Sequence, residues 1–537
     1  MVTVHFISEQ IDIQVEEETL ISDAARKAGI YLSTPCGGKG TCGKCKVMLD
    51  NGTEVLACRT KVISDINVYT RNEQEMDESL DILSNGKVRN VELKPNYSKI
   101  YKNGVTTVFC NGVSVGTEDG DTSQTLYGVT IDIGTTTLVA ALINLKTGDE
   151  LASVSKMNPQ CVYAQDVVSR INYTMEKSDG LETLYKCENE AFCSMIKELS
   201  EDKSIDLSQI YEIVFSGNTT MLHLATQTDP YSLGQYPYEP AIWGNCYYPA
   251  SQFEMPISQY GQVYLPPIIS AYVGADITSG ILSSELVKQN GTTLFIDIGT
   301  NGEMVMACDG SLTATSTAAG PAFEGMNISF GMRAEKGAIE EFSIMDDGSV
   351  QIKTILNEEA VGICGSGLFD IVAELSRVGI IESNGRFVKP QKCNLPDNLK
   401  NRLVKYEGKS AFQLTDKVYL TQMDVRQIQL AKSAVRAGIE AMIGLNNKEL
   451  NEIDRIFIAG SFGYHLSASS LTQVGIIPKA LKDRISFLGN TSKTGGSAFL
   501  LNAEYRCKMQ QYVKKVKILE LSEYPGFENL FMQHMGF

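Results

Sequence analysis

GVTIDIGTTTLVAAL, residues 128–142, reads as an apolar strand, an Asp-Ile-Gly-Thr turn and a second apolar strand; the pattern returns as LFIDIGTNGEMVMA at 294–307. Such a hairpin holds phosphate in its turn. Glycine lets the backbone come close, N–H groups and hydroxyls donate to phosphate oxygens, and the aspartate binds a magnesium-coordinated water. The candidates are Asp132, Gly134, Thr135 and Thr136 in the first copy, and Asp297, Gly299, Thr300, Asn301 and Gly302 in the second. Glu303 is placed either to position water or to serve as a structural carboxylate. A single Asp-x-Gly-Thr also occurs in ordinary turns, but two copies, each inside a hydrophobic hairpin, predict a duplicated fold with phosphate clamped between the halves.

A third element supports this. RIFIAGSFG, residues 455–463, is a buried strand stopping at a small-residue turn, where Gly460, Ser461 and Gly463 leave room for a flat purine or ribose.

The front of the chain carries different chemistry. TPCGGKGTCGKC, residues 34–45, spaces three thiols as C-x5-C-x2-C, and Cys58 follows after a hairpin. Cys36, Cys42, Cys45 and Cys58 in a glycine-rich loop point to an iron–sulfur cluster; the spacing is one residue longer than the C-x4-C-x2-C of plant-type [2Fe–2S] ferredoxins and resembles that of the adrenodoxin-like branch, which implies a [2Fe–2S] cluster. A structural zinc site is the competing reading, although Cys36 and Cys58 do not form a second C-x2-C pair. The surrounding order is an alternating hairpin over 2–15, a helix over 19–28, the cysteine loop, and a hairpin turning at Asp50-Asn51-Gly52.

A chain of 537 residues exceeds one hydrophobic core. The net charge of −17 argues against a nucleic-acid surface. Neither an apolar run of about 18 residues nor a signal-peptide pattern is found, so a cytoplasmic protein is expected; nine scattered further cysteines suit a reducing compartment. The predicted organisation is a cluster domain over 1–82, a weakly alternating linker with a few strands and a flexible end over 83–124, a first half over 125–290 and a second over 291–537.

Two phosphate hairpins and one adenosine turn in this order resemble the actin-like ATPase superfamily of acetate and sugar kinases, heat-shock chaperones and actin. The fold class is then α/β multidomain: an N-terminal β-grasp ferredoxin domain, a linker, and a duplicated actin-like (ribonuclease H-like) ATPase. Together with the ferredoxin front, and with the loops FSGNTTM (215–221), AAGPAFEG (318–325) and GICGSGL (362–368), the chain resembles reductive activators of corrinoid-dependent enzymes. That resemblance implies ATP and Mg2+ as cofactors beside the cluster. It implies one-electron reduction of an inactive Co(II) corrinoid protein to Co(I), and a cytoplasmic electron donor of ferredoxin or flavodoxin type; it also allows a homodimer. Gly365 and Ser366 are then candidates for facing the corrinoid, or for a helix start touching phosphate. The rival readings are an actin-like small-molecule kinase with a redox-sensing ferredoxin domain, an activator of another low-potential enzyme, and an electron carrier with an inactive ATPase half.

Other residues receive structural expectations. His223 reads as a helix-packing residue, Tyr231, Tyr236, Tyr238 and Trp243 as a packed Pro-aromatic loop rather than a partner-facing one, and Asp276 as a helix cap or cleft residue.

Overall fold

The computed structural model describes all residues except 33, 35–37, 39, 41–43, 51, 71–90, 300, 393 and 461–465, and the side chains of 321 and 392. Cys36, Cys42, Thr300, Ser461 and Gly463 therefore lie outside the described residues.

The N-terminal domain is a five-stranded mixed sheet in the order 11–15, 2–6, 66–69, 46–49, 54–56. Val2, Val4 and Phe6 alternate inward and are buried, and they meet Ile21, Ala24 and Ala25 from the helix Ile21–Lys27. The strand Ile66–Tyr69 runs parallel to Val2–Phe6 and joins the N-terminal hairpin to the cysteine-bearing one. Its four residues, INVY, are too short to announce a strand in the sequence.

Two six-stranded sheets follow, with matching centres. In the first, Tyr127–Ile133 pairs antiparallel with Thr137–Asn144 and parallel with Ile210–Gly217. In the second, Thr292–Ile298 pairs antiparallel with Gly302–Cys308 and parallel with Ile453–Ala459. Both central hairpins are nearly continuous apolar runs, as strands covered on both faces require. One apolar cluster, including Ala141, Val214, Phe295, Val305, Phe457 and Phe499, crosses between the sheets.

At this seam lies the wholly buried helix Thr491–Leu501, packed on Ala275–Ser283. A Cβ on Gly495 would sit 2.1 Å from the Ser279 carbonyl oxygen, and one on Gly496 2.1 Å from Thr130 Oγ1. Side chains there would push apart the elements that carry the cleft. Arg506 and Glu212, both almost fully buried, pair through two 2.8 Å contacts and fasten the helix Glu504–Val513 beneath the first sheet.

The segment read as a linker with a few strands carries three of them. Its residues Tyr97–Lys102, Val105–Cys110 and Val113–Asp119 form an antiparallel three-stranded sheet docked on the first half. Tyr97 is fully buried, donates to the Tyr260 carbonyl at 2.7 Å and packs 5.6 Å from the Tyr211 ring. The acidic stretch at its end is tied down by Lys99–Glu118 at 2.8 Å. Among the described residues, no helix is long and apolar enough to cross a membrane.

Candidate functional site

The two Asp-Ile-Gly-Thr turns face one another across a cleft of about 190 Å3. Asp132, Gly134, Thr135 and Thr136 line it from the first half; Asp297, Gly299, Asn301 and Glu303 line it from the second, with Gly460 beside them. The strand-end positions explain this convergence. Asp132 and Asp297 are each the penultimate residue of a central strand, so both reach the same end of their sheets. Gly302 is buried within the strand that leaves the second turn.

Four acids concentrate here: Asp132, Asp276, Asp297 and Glu303, with Glu324 opposite. Burial raises Asp297 to about 8, reinforced by the charges of Asp276, Asp132 and Glu324. Burial likewise raises Asp276 to about 7 and moves Glu303 well above the carboxylate range. Asp132 also moves up through burial, but Ser492 and Asn490 donate to it and oppose the shift; Asn490 Nδ2 lies 2.8 Å from Asp132 Oδ2. Carboxyl groups crowded this closely favour protonation until a divalent cation supplies the missing charge. Among the described residues no three of these acids come together closely enough to hold a metal ion by themselves, so a Mg2+ here would be held through water and nucleotide oxygens as well as carboxylate.

Sequence reasoning missed several residues that shape the cleft. Arg170 is fully buried and donates to the Ala164 carbonyl at 3.0 Å, Gln160 Oε1 at 2.8 Å and the Thr135 carbonyl, thereby bracing the first turn from behind. Asn158 Nδ2 adds a 2.9 Å bond to the Gly134 carbonyl. Asn218 caps the helix Thr219–Ala225 and donates to Thr135 Oγ1 at 3.1 Å. Thr136 Oγ1 reaches Glu324 at 3.2 Å, joining the halves across the cleft. Asn490 and Ser492 come from NTSKTGG, residues 490–496, whose polar start on an otherwise buried helix was the available signal.

Gly365 and Ser366 open the helix Gly365–Arg377 onto the same cleft, with Ser366 buried and its Oγ 3.2 Å from the Glu340 carbonyl. Asp276 stands in the first turn of its helix and accepts from Ile277 N at 2.8 Å, while Gly274 is the capping position. His223 is fully buried, with Nδ1 2.7 Å from the Thr219 carbonyl and Nε2 accepting from Ala241 N at 3.0 Å; it is a packing residue. The Pro-aromatic loop differs from expectation. Tyr236 is 85% exposed and Trp243 52%, because the loop packs through Leu233 and leaves these rings outside.

In the N-terminal domain, Cys45 and Cys58 bring their sulfurs to 3.1 Å at the end of the hairpin formed by Lys46–Leu49 and Glu54–Leu56, where the Ala57 N–H bonds to the Cys45 carbonyl at 2.8 Å. Both are buried and neither forms a disulfide. That separation is beyond a disulfide of about 2.05 Å and suits two thiolates directed at one metal centre, so these residues fit a cluster. None of the ten described cysteines forms a disulfide.

The cluster loop lies against the ATPase part. Lys44 Nζ donates to the Ser329 carbonyl at 2.9 Å and the Gly331 carbonyl at 3.2 Å, and Gln165 Nε2 reaches the Leu32 carbonyl and Thr34 Oγ1 at 3.5 Å each.

Comparison with known proteins follows the same division. A family model described as a 2Fe-2S iron-sulfur cluster binding domain matches residues 5–63, one described as the RACo middle region matches 127–289, and one described as the C-terminal domain of RACo, the ASKHA domain, matches 291–537. The corrinoid activation enzyme RamQ of Eubacterium limosum is 30% identical across 98% of this chain and 97% of that protein. A [Co(II) methylated amine-specific corrinoid protein] reductase of Methanosarcina barkeri is 25% identical across 77% of each chain. The solved structure of a reductive activator for corrinoid, iron-sulfur protein matches with a TM-score of 0.76 and 30% identity, covering 100% of this chain and 98% of that one. The chain belongs to this family of corrinoid activation enzymes, in which a 2Fe-2S domain precedes an actin-like ASKHA ATPase.

Proposed function

We propose that the protein is an ATP-dependent reductive activator: its ferredoxin domain passes one electron to an inactive Co(II) corrinoid protein, restoring Co(I) for methyl transfer. The observation that carries this reading is the docking of Lys44, the neighbour of Cys45, on the Ser329 and Gly331 carbonyls, four and two residues before Arg333, which lines the acid-lined cleft between the two Asp-Ile-Gly turns. An electron site docked a few residues from the nucleotide cleft suits a task in which nucleotide state governs electron delivery.

Energetics give the reason for the pairing. Reduction of Co(II) lies below ordinary cellular reductants, and each 59 mV of shortfall costs about 1.4 kcal/mol. Held by Cys36, Cys42, Cys45 and Cys58, a cluster of this type supplies one electron near roughly −400 mV. Nucleotide makes up the deficit by conformation: closure of the two halves favours the partner form whose cobalt is easier to reduce.

Asp297 and Asp132 organise Mg2+ and its water, and buried Glu303 orients the attacking water. Gly134, Thr135, Thr136, Gly299, Thr300, Asn301 and Gly302 hold phosphates, and Gly460, Ser461 and Gly463 border the adenosine. Ser366 and Gly365, inside the cleft, contact phosphates in the closed state; they face the corrinoid only when the partner enters the opened cleft. The electron comes from a cytoplasmic ferredoxin or flavodoxin.

The test is anaerobic spectroscopy of a Co(II) corrinoid protein mixed with this protein, a reductant and ATP. Co(I) should accumulate only with ATP. Equal rate and extent without nucleotide would refute the ATP-driven mechanism, and a phosphorylated small-molecule product would move the assignment to a kinase.

A further inference from the structure

Arg333 lines the nucleotide cleft, yet its contacts lead elsewhere. Its guanidinium carbon lies 5.8 Å from the centre of the Tyr31 ring in the ferredoxin domain, three residues before Thr34 and the cysteine loop. Two and four residues earlier, the carbonyls of Gly331 and Ser329 receive Lys44, which precedes Cys45. Arg333 Nη1 is buried with no hydrogen-bond partner among the described residues. A buried cationic donor left unpaired is costly, and in a cleft built around phosphate turns the natural partner is an anionic oxygen. Burial works against its charge, but Cys161, Tyr31, Glu335 and Glu324 more than offset this, so it stays charged.

The opposite side of the cluster loop is held by Gln165, five residues before Arg170, whose guanidinium braces the Thr135 carbonyl. One arm from each ATPase half thus runs from the phosphate cleft to the cluster loop. We propose that Arg333 is a positioning residue that senses the terminal phosphate of the nucleotide and thereby releases the ferredoxin domain from its dock. The proposal rests on the nucleotide reading of the cleft and extends it. A single cation–π contact is weaker than bidentate, charge-assisted bonding to phosphate, so a bound triphosphate draws the guanidinium from Tyr31. The segment 329–333 follows, and the Lys44 latch loosens. The docked state then stores the cluster against the ATPase, and ATP frees it to approach the partner.

The test is hydrogen exchange of the cluster-loaded full chain, with and without a non-hydrolysable ATP analogue plus Mg2+, read in the strand Lys46–Leu49 and in residues 329–333. The wild type should exchange several-fold faster in both segments with the analogue. Arg333→Gln should lose this response and Arg333→Lys should recover part of it. Tyr31→Leu, outside the cleft, should bind the analogue within twofold of wild type and show fast exchange in both states. If Arg333→Gln binds no analogue, Tyr31→Leu alone decides the matter. A wild-type response preserved in Arg333→Gln, or slow analogue-free exchange in Tyr31→Leu, overturns the proposal. Wild-type protein that reduces Co(II) with ATP but shows no change in exchange overturns it too, leaving the function intact; absence of ATP-dependent reduction defeats the functional reading itself.

Discussion

The two phosphate turns are copies in sequence and opposites in environment. Asp132-Ile133-Gly134-Thr135 is braced from below: Arg170 and Asn158 hold its carbonyls, Asn218 holds Thr135, and Asn490 and Ser492 donate to Asp132. Asp297 in the second turn instead faces Asp276, Asp132 and Glu324, and repulsion adds to burial in raising its proton affinity. The first turn is a prepared wall, whereas the second is a charge imbalance that a cation corrects. Duplication supplied the same motif twice, and the neighbours assigned the work.

The sharpest break in this comparison comes from neutralising each aspartate in turn. Asp297→Asn should lower ATP hydrolysis and ATP-dependent Co(II) reduction by roughly 100- to 1000-fold, the usual scale for removing a key electrostatic group. Asp132→Asn should cost roughly 10- to 100-fold, the scale of a supporting partner. Cluster absorption should be unchanged in both. Equal losses would mean the turns share their work evenly.

Removing the brace should harm stability before chemistry. Arg170→Met leaves the Thr135 and Ala164 carbonyls and Gln160 without their buried donor, which should cost about 3 kcal/mol. Calorimetry would show this as a lowered Tm of the transition that Mg2+-nucleotide raises. Glu188, held up at about 8 by burial and opposed by the charge of Arg170, would turn more strongly neutral. An unchanged Tm would show that the first turn stands without Arg170.

The glycines separate the turns sterically. A Cβ on Gly134 would lie 2.5 Å from the Thr137 carbonyl oxygen, whereas on Gly299 the nearest atom, Glu324 Oε1, is 3.7 Å away. Gly134→Ala should cost about 1–3 kcal/mol by overpacking. Gly299→Ala should leave the nucleotide-free protein within about 0.5 kcal/mol of wild type and express itself in weakened nucleotide binding. Similar Tm losses in both would contradict this distinction.

What the sequence revealed followed from chemistry that is local along the chain. The Asp-Ile-Gly-Thr hairpins carry their own strand pattern, and the cysteine loop its own spacing, so both architectures were legible. Arg170 and Arg333 were not: Arg170 meets Thr135, and Arg333 meets Tyr31, only through the fold, and an isolated arginine has no local pattern to announce it. The strands over 97–119 were legible as weak alternation, but their docking through Tyr97 on Tyr260 was not, because that partner lies far away in sequence. Tyr236 and Trp243 misled in the other direction, because aromatic residues usually signal packing and these remain exposed.

The least disruptive way to sharpen the comparison is pH. Between about pH 4 and the folded values of about 7 for Asp276 and about 8 for Asp297, the unfolded chain has released protons that the folded cleft retains. The folded state binds more protons, so this contribution to stability is complete below the unfolded values and declines as pH rises through the folded ones. Mg2+ reverses the trend, because binding expels those protons and gains from their absence. The nucleotide-free Tm should fall from pH 6 to 8.5, while the increase in Tm caused by Mg2+ and ADP should grow over the same range and flatten above about pH 8. Apparent Mg2+ affinity should rise by up to about tenfold per pH unit for each proton released. Asp297→Asn should weaken this dependence, because one of the raised carboxyls is gone while Asp276 and Glu303 remain. A pH profile unchanged in that variant would show that the second turn owes its role to shape alone, and the electrostatic difference between the two copies would lose its meaning.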